Sequence, residues 1–316
     1  MVITSKLYFA NLTISLICAT TLAIISVLHT NGTITALAVL IVLVLFLCQL
    51  ILVRSHSRQL TRADRYQRLG RKLLQLKRNK KRDESMAIRV LNHIVQQSTT
   101  APTHCNIWQK PLETFSGDLA LTTRSDNGST YTLLADLTGH GIAAAMGATP
   151  VASIFQATAR RALPIEQIVV ELNEKLRRLL PPGYFCCATI ICCRNGEVRV
   201  CNAGLPSLRV VTSQGAIIET IDSAQLPLGI DELSHEDVAI TSRSYPQDTR
   251  IYAFTDGLTE ATDLQGDIFD EACFDRHICT ECPPQGRLPH IKERFDNFVK
   301  GSTANDDISI VEVKIC

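Results

Sequence analysis

The hexapeptide Asp136-Leu137-Thr138-Gly139-His140-Gly141 directly follows the apolar, strand-like run 131–135. The last residue of a buried strand is fixed in space, and the glycines that follow let the backbone turn sharply. The Asp136 carboxylate can therefore point at a shared site. Four further short segments combine a turn with acidic or glycine residues: Ser116-Gly117-Asp118, Asn202-Ala203-Gly204, Thr255-Asp256-Gly257 and Asn305-Asp306-Asp307.

These carboxylates have no cationic neighbours in sequence and would repel one another if folding brought them together. A site made only of oxygen ligands suits Mg²⁺ or Mn²⁺. The alternative for any single segment is turn formation, because Asp-Gly is a common turn dipeptide. For Asp256-Gly257 alone the turn is the simpler explanation. The complete set favours a metal site.

The chain after residue 101 alternates strand-like runs with turns, and its two helical segments, 141–162 and 165–180, are adjacent. An Asn-Gly turn at 195–196 indicates a β-hairpin. This order predicts an α+β layered domain with antiparallel sheet rather than a βαβ fold. The strand-like runs are 118–123, 131–136, 184–193, 197–202, 207–212, 216–220, 237–241, 251–255 and 308–314.

From about residue 105 to the end, the order of these motifs resembles the SpoIIE/RsbU branch of the bacterial PPM-type serine/threonine phosphatases. The resemblance rests on five motifs in order, supplemented by Leu226-Pro227-Leu228-Gly229-Ile230 and by the extension of the fourth motif to Glu260-Ala261. It implies an α-β-β-α sandwich, in which two stacked antiparallel sheets are flanked by helices.

The resemblance also implies a site for two Mn²⁺ or Mg²⁺ ions and hydrolysis by a metal-bridged hydroxide. Asp136 would bridge both ions, and Asp136 and Asp256 would be the central catalytic groups. His140 is a candidate acid/base group that could equally brace its turn. The implied metal ligands are Asp118, Asp136, the Leu137 backbone carbonyl, Asp256 and Asp306, with Asp307 as a neighbour of lower rank.

The substrate implied by the resemblance is phosphoserine or phosphothreonine on a regulatory protein similar to an anti-sigma-factor antagonist. Leu205 departs from the family pattern, which has histidine after Asn-Ala-Gly. This departure leaves open an alternative in which a weakened pseudophosphatase binds a phosphoprotein without hydrolysing it. A third hypothesis is a membrane scaffold with no metal dependence.

Residues 7–28 and 34–53 contain no charged residue, and each is about long enough to cross ~30 Å of hydrocarbon. The alternatives are a signal peptide or a buried helix. No small-residue cleavage site precedes the second run, and a soluble core helix is rarely apolar all round, so a transmembrane hairpin is favoured. Twelve basic residues lie between positions 54 and 82, directly after the second run. By the positive-inside rule, both termini and the catalytic domain then lie in the cytoplasm, at a bacterial inner (cell) membrane.

The sequence thus predicts three regions: a transmembrane hairpin (1–53), a basic helical linker (54–100) and the phosphatase domain (101–316). Patches of heptad-like spacing make the linker a candidate for homodimerisation, and its charge also suits anionic headgroups. Membrane orientation explains the basic run without nucleic-acid binding. From residue 83 onwards, acidic residues outnumber basic ones by eleven.

Overall fold

The computed structural model divides the chain into two compact units, Met1–Lys80 and Lys81–Cys316. The residues it describes are 14–15, 17–22, 24–25, 40, 43–44, 46–51, 69–79, 104–112, 116–139, 142–279, 286–302 and 306–315. The predicted domain boundaries at 53/54 and 100/101 fall outside these ranges and stay predictions.

In the first unit, the described residues within 14–25, 40–51 and 69–79 are helical. The first two segments face each other across a cavity of about 250 Å³, lined by Ser15, Cys18, Ala19, Leu22, Leu43, Phe46 and Gln49. No helix within the described ranges is both long and apolar enough to cross a bilayer. Much of the predicted spans 7–28 and 34–53 lies outside those ranges.

The second unit contains ten strands and five helices within the described residues. The strands are β1 (Cys105–Lys110), β2 (Asp118–Arg124), β3 (Thr130–Leu137), β4 (Cys186–Arg194), β5 (Glu197–Ala203), β6 (Leu208–Val211), β7 (Ile217–Ile221), β8 (Thr241–Ser244), β9 (Arg250–Phe254) and β10 (Ile308–Lys314). The helices are α1 (Ile142–Arg160), α2 (Ile165–Leu179), α3 (Asp256–Thr259), α4 (Glu271–Ile278) and α5 (Arg287–Phe298).

The strands form two five-stranded sheets in which all neighbours are antiparallel. Sheet A has the order β1-β10-β9-β6-β7, and sheet B has the order β2-β3-β4-β5-β8. Three apolar clusters join four layers: α1 and α2 on sheet B, sheet B on sheet A, and sheet A on α4 and α5. The predicted α-β-β-α sandwich is confirmed.

Strand β2 illustrates how a central strand serves two interfaces. Leu119 and Leu121 point toward α1 and α2, whereas Ala120 lies in the cluster between the sheets. Alternate side chains of a strand point to opposite faces, so a strand covered on both sides is apolar throughout. This double coverage holds the two ends of β2, including Asp118, in fixed positions.

Helix α2 follows the predicted amphipathic pattern, with its buried side chains on one face: Ile165, Ile168, Val169, Leu172, Asn173 and Leu176. The predicted hairpin turn also forms, since Asn195 and Gly196 have φ values of 51° and 81°. Positive φ at both central residues is the signature of a type I′ turn.

The predicted strand 237–241 is wrong. Residues 235–237 form a turn, and the observed strand β8 begins only at Thr241. Val238 is buried, but its neighbours on both sides are polar or partly exposed, so the local apolar signal reflects one anchored side chain. Strand β1 and helices α4 and α5 are additions that the sequence pattern did not predict.

Candidate active site

Strands β2 and β3 place the first two predicted carboxylates opposite each other, because Asp118 pairs with Asp136 in the register of sheet B. Asp118 is only 6 % exposed. Its Oδ2 accepts a hydrogen bond of 2.9 Å from Thr255 Oγ1, which in turn accepts one of 3.0 Å from the backbone N–H of Ser309. Thr255 and Ser309 belong to the sheet A side, so this chain of bonds links the two sheets at the carboxylates.

Gly257 lets the segment that carries Asp256 approach the end of the loop before β10. A Cβ atom at position 257 would lie 2.0 Å from the Asp307 carbonyl oxygen and 3.2 Å from the Asp306 Cβ. Any side chain here would force the two segments apart. The close contact brings Asp256, the first residue of α3, next to Asp306.

Asp307 braces the loop between β1 and β2. Its Oδ1 accepts a 2.6 Å hydrogen bond from the Leu112 N–H, and its Oδ2 accepts one of 2.6 Å from the Gly117 N–H. Asp307 is 4 % exposed, whereas Asp306 is exposed and accepts a bond from the Asp307 N–H. The two neighbouring aspartates therefore have different roles in the fold.

The carbonyl groups of the Asp136 loop face Gly117. A Cβ atom on Gly117 would lie 3.0 Å from the Leu137 carbonyl oxygen and 3.1 Å from that of Gly139. The Leu137 N–H also donates to the Gly117 carbonyl at 3.2 Å. The Leu137 carbonyl, a predicted metal ligand, thus lies beside the loop that carries Asp118.

We call Asp118, Asp136, Asp256, Asp306 and Asp307 the acidic edge. Burial, and then the charges of Asp256, Asp306 and Asp307, raise the pKa of Asp136 to about 7. Burial raises the pKa of Asp118 to about 8, with a further contribution from the charge of Asp136 and opposition from hydrogen bonds to Ser309 and Thr255. Burial and the charge of Asp306 also raise the pKa of Asp256. Each shift has the sign expected for carboxylates that share a desolvated site.

None of these five carboxylates forms an ion pair with a basic side chain of the described part of the chain. Within the same ranges, no three His, Cys, Asp or Glu side chains are close enough together to hold an ion as they stand. The acidic edge therefore combines mutual repulsion with oxygen donors only. This donor set fits divalent Mg²⁺ or Mn²⁺.

Not every predicted site residue belongs to the acidic edge. His140 lies outside the described residues. Leu205, the departure from the family pattern, is 3 % exposed and belongs to the apolar cluster between the sheets. The Asn202 amide donates to the carbonyls of Leu205 and Pro206 at 3.1 and 3.2 Å, so the Asn-Ala-Gly motif stabilises its own turn.

Sequence reasoning missed the two residues that hold Asp118. Thr255 lies inside a predicted motif, but no role was assigned to its hydroxyl group. Ser309 sits in a predicted strand with nothing to distinguish it from other strand residues. The only available signal was the position of Thr255 directly before Asp256, at the end of a buried strand.

Residues 126–315 match the protein family described as Stage II sporulation protein E (SpoIIE). The matched region is more than half of the chain, and the chain belongs to this family of protein serine/threonine phosphatases. A comparison with curated protein sequences gave no match.

Solved structures confirm the fold. The SiaA-PP2C domain of Pseudomonas aeruginosa superposes with a TM-score of 0.65 at 18 % identity, covering 76 % of this chain and 98 % of that one. The phosphatase domain and part of the regulatory domain of SpoIIE from Bacillus subtilis give 0.57 at 13 % identity, covering 67 % and 62 %. RsbX in complex with magnesium gives 0.51 at 14 % identity, covering 68 % and 97 %.

Proposed function

We propose that this chain is a membrane-anchored, Mn²⁺- or Mg²⁺-dependent phosphatase that removes phosphate from serine or threonine of a regulatory protein. The observation that carries the proposal is the convergence of four of the five predicted motifs. Asp118 faces Asp136 across paired strands, and the Thr255 hydroxyl and Gly257 join the segments of Asp256 and Asp306 to them.

The proposed ligands are the carboxylates of Asp118, Asp136, Asp256 and Asp306 and the Leu137 carbonyl. Asp307 is the weaker candidate, because both of its oxygens already accept backbone hydrogen bonds. Divalent ions bound there would screen the phosphoryl oxygens and make a water molecule more acidic, as metal ions do in phosphate ester hydrolysis. Thr255 fixes the orientation of Asp118, and Asp307 fixes the loop that presents it.

The test is an assay of the full chain with p-nitrophenyl phosphate and with phosphoserine peptides, in the presence and absence of Mn²⁺. Asp136→Asn and Asp256→Asn should abolish metal-dependent turnover. Asp126→Asn, an exposed aspartate in the β2–β3 turn, is the matched control and should keep it. Turnover that needs no divalent ion, or that survives both site substitutions, would refute the proposal.

The alternative pseudophosphatase rested on the replacement of a histidine by Leu205. The burial of Leu205 between the sheets means that this replacement leaves the acidic edge in place. Binding of phosphopeptide without turnover in the assay above would favour the alternative. The proposed substrate, a regulatory protein similar to an anti-sigma-factor antagonist, is supported by the family.

Membrane anchoring through 7–28 and 34–53, with the catalytic domain in the cytoplasm, is part of the proposal. The uncharged sequence supports it, together with the exposed apolar side chains of both helical segments, among them Ile17, Ile24, Leu43 and Leu47. The full chain should remain in the membrane pellet after an alkaline carbonate wash. Its catalytic domain should resist protease added to intact cells, and recovery in the carbonate supernatant would contradict anchoring.

Helix 69–79 supports contact with lipid headgroups rather than self-association. Leu69, Leu73 and Leu76 lie on one exposed face at heptad spacing. In a parallel homodimer built on this face, Lys72 of one copy would approach Lys77 of the other, and the segment contains no acidic residue. We therefore propose that this helix lies on the membrane surface, with its leucines at the acyl boundary and its basic side chains at anionic headgroups, and that a homodimer would use another surface.

A further inference from the structure

Three loops of the phosphatase domain meet beside the acidic edge and carry exposed apolar side chains. They are the Thr138–Gly139 turn after β3, the 180–185 segment after α2, and the 226–230 segment. Leu179, Tyr184, Leu226 and Ile230, on or next to these loops, are 40–60 % exposed. We call these four residues the apolar rim.

The apolar rim is held rigidly. The Thr138 N–H donates to the Phe185 carbonyl, and the backbones of Cys186 and Leu228 exchange hydrogen bonds of 2.9 and 2.7 Å. The buried Asn173 of α2 accepts a 2.8 Å bond from the Gly229 N–H and donates one of 2.9 Å to the Asp231 carbonyl. A preorganised surface loses little conformational entropy when a partner binds.

Two short sets of contacts connect the apolar rim to the carboxylates. The Tyr184 ring lies 3.4 Å from a Cβ position on Gly139. The Gly139 carbonyl oxygen in turn lies 3.1 Å from a Cβ position on Gly117, the residue before Asp118. On the other side, a Cβ atom on Gly204 would lie 2.6 Å from the Pro227 ring and 3.0 Å from the Cys187 sulfur. Cys187 pairs with Asp136 in the register of sheet B.

We infer that the apolar rim is the docking surface for the substrate protein, and that it selects apolar side chains within a few residues of the phosphorylated serine or threonine. The inference rests on the proposed function, because it requires the phosphate at Asp136, whose loop continues to Gly139 and the adjacent Tyr184. An extended segment advances about 3.3 Å per residue, so near neighbours of the phosphoresidue reach these side chains. Arg177, beside the rim on α2, is already paired with Glu232 at 3.2 Å.

The test uses the full chain with Mn²⁺ and fluorescent peptides of equal length and charge, each carrying a non-hydrolysable phosphonate in place of phosphoserine. One peptide has Leu and Ile at the flanking positions, and the other has Ser and Thr. Fluorescence anisotropy should show about tenfold tighter binding of the apolar peptide, the effect of burying one or two apolar side chains.

Ile230→Ser, Leu226→Ser and Tyr184→Ala should each remove most of that preference. Ile218→Ser is the matched control, because Ile218 is an isoleucine of almost equal exposure (49 % against 50 %) on β7 of the other sheet. It should leave the preference unchanged, and Ile218→Ser, Ile230→Ser and Leu226→Ser should hydrolyse p-nitrophenyl phosphate at the parent rate.

Equal binding of the two peptides by the parent chain would overturn the inference. Equal effects of Ile218→Ser and the rim substitutions would overturn it as well. Failure of the proposed function is distinguished by the aryl phosphate assay. A chain that discriminates between the peptides but never hydrolyses the aryl phosphate keeps the docking surface and loses the phosphatase assignment.

Discussion

Two groups of charges in the phosphatase domain, one within sheet A and one at the acidic edge where the two sheets meet, differ in how their charge is compensated. On sheet A, Glu312 accepts hydrogen bonds from Asn106, Arg250 and Tyr252 and is 2 % exposed. The acidic edge holds five carboxylates with no basic partner among the described residues. A buried acid with a cation beside it stabilises one arrangement of the chain, whereas a group of acids without basic partners must take up protons or bind a cation from solution.

The strongest test of this contrast is Asp136→Asn. We expect metal-dependent turnover to fall on the order of a thousandfold, because an oxygen donor shared by the proposed ions is weakened. Without divalent ions the same variant should be more stable than the parent at pH 8, since one repelling charge is removed. Thermal unfolding with and without Mn²⁺ measures this difference. A melting temperature of the ion-free variant below that of the ion-free parent would contradict the contrast between the two groups of charges.

The opposite substitution is Glu312→Gln on sheet A. It leaves the charge of Arg250 buried and uncompensated, so the free energy of unfolding should fall by about 3 kcal/mol. Chemical denaturation gives the value, with the exposed Glu236→Gln as the control. A change of less than about 0.5 kcal/mol, the range of ordinary surface substitutions, would mean that the pair contributes nothing.

Leu205→His tests whether position 205 belongs to the acidic edge, because it introduces the residue that the family pattern favours. The imidazole ring would enter the apolar cluster between the sheets, and burying its polar atoms should cost about 2 kcal/mol of stability. Turnover of p-nitrophenyl phosphate should not increase. A gain in turnover at unchanged stability would instead place position 205 in the site.

The ion-free protein should also show a pH dependence. The pKa of Asp118 is raised from 3.8 to about 8. The native state therefore binds more protons than the unfolded state in this interval, and stability falls as pH rises from about 4 to 8. The melting temperature should drop over this range and recover with Mn²⁺, most of all near pH 8. Asp118→Asn should reduce the slope, with the remainder due to Asp136, whose pKa is raised to about 7. An unchanged slope would contradict this origin.

The sequence predicted the sandwich because its central strands and α2 carry strong periodic patterns. It missed β1, an edge strand in which only Trp108 is buried while Asn106, Gln109 and Lys110 point to partly or fully exposed positions. It also missed α5, whose buried stripe of Leu288, Ile291 and Phe295 is interrupted by a proline in its first turn and begins with a buried arginine.

The carboxylates of the acidic edge and their convergence were predicted from motifs, but the strand pairing that brings them together was not. The opposition of Asp118 and Asp136 depends on the register of one hairpin, and the approach of Asp256 to Asp306 depends on the pairing of β9 with β10. Local sequence does not encode pairing over such distances. The roles of Asp306 and Asp307 likewise depend on the folded chain, because it is the Asp307 carboxylate that accepts hydrogen bonds from the backbone of residues 112 and 117.

Strand β10 follows Asp306 and Asp307 and lies between β1 and β9, although Gln109 and its hydrogen-bond partner Ser309 are 200 positions apart. During synthesis, a ribosome would release β1 through β9 long before this strand is available. The acidic edge would then be completed in a single late step, because Asp306, Asp307 and Ser309 are released last. Stalled nascent chains of increasing length, assayed with aryl phosphate, should stay inactive until β10 has emerged.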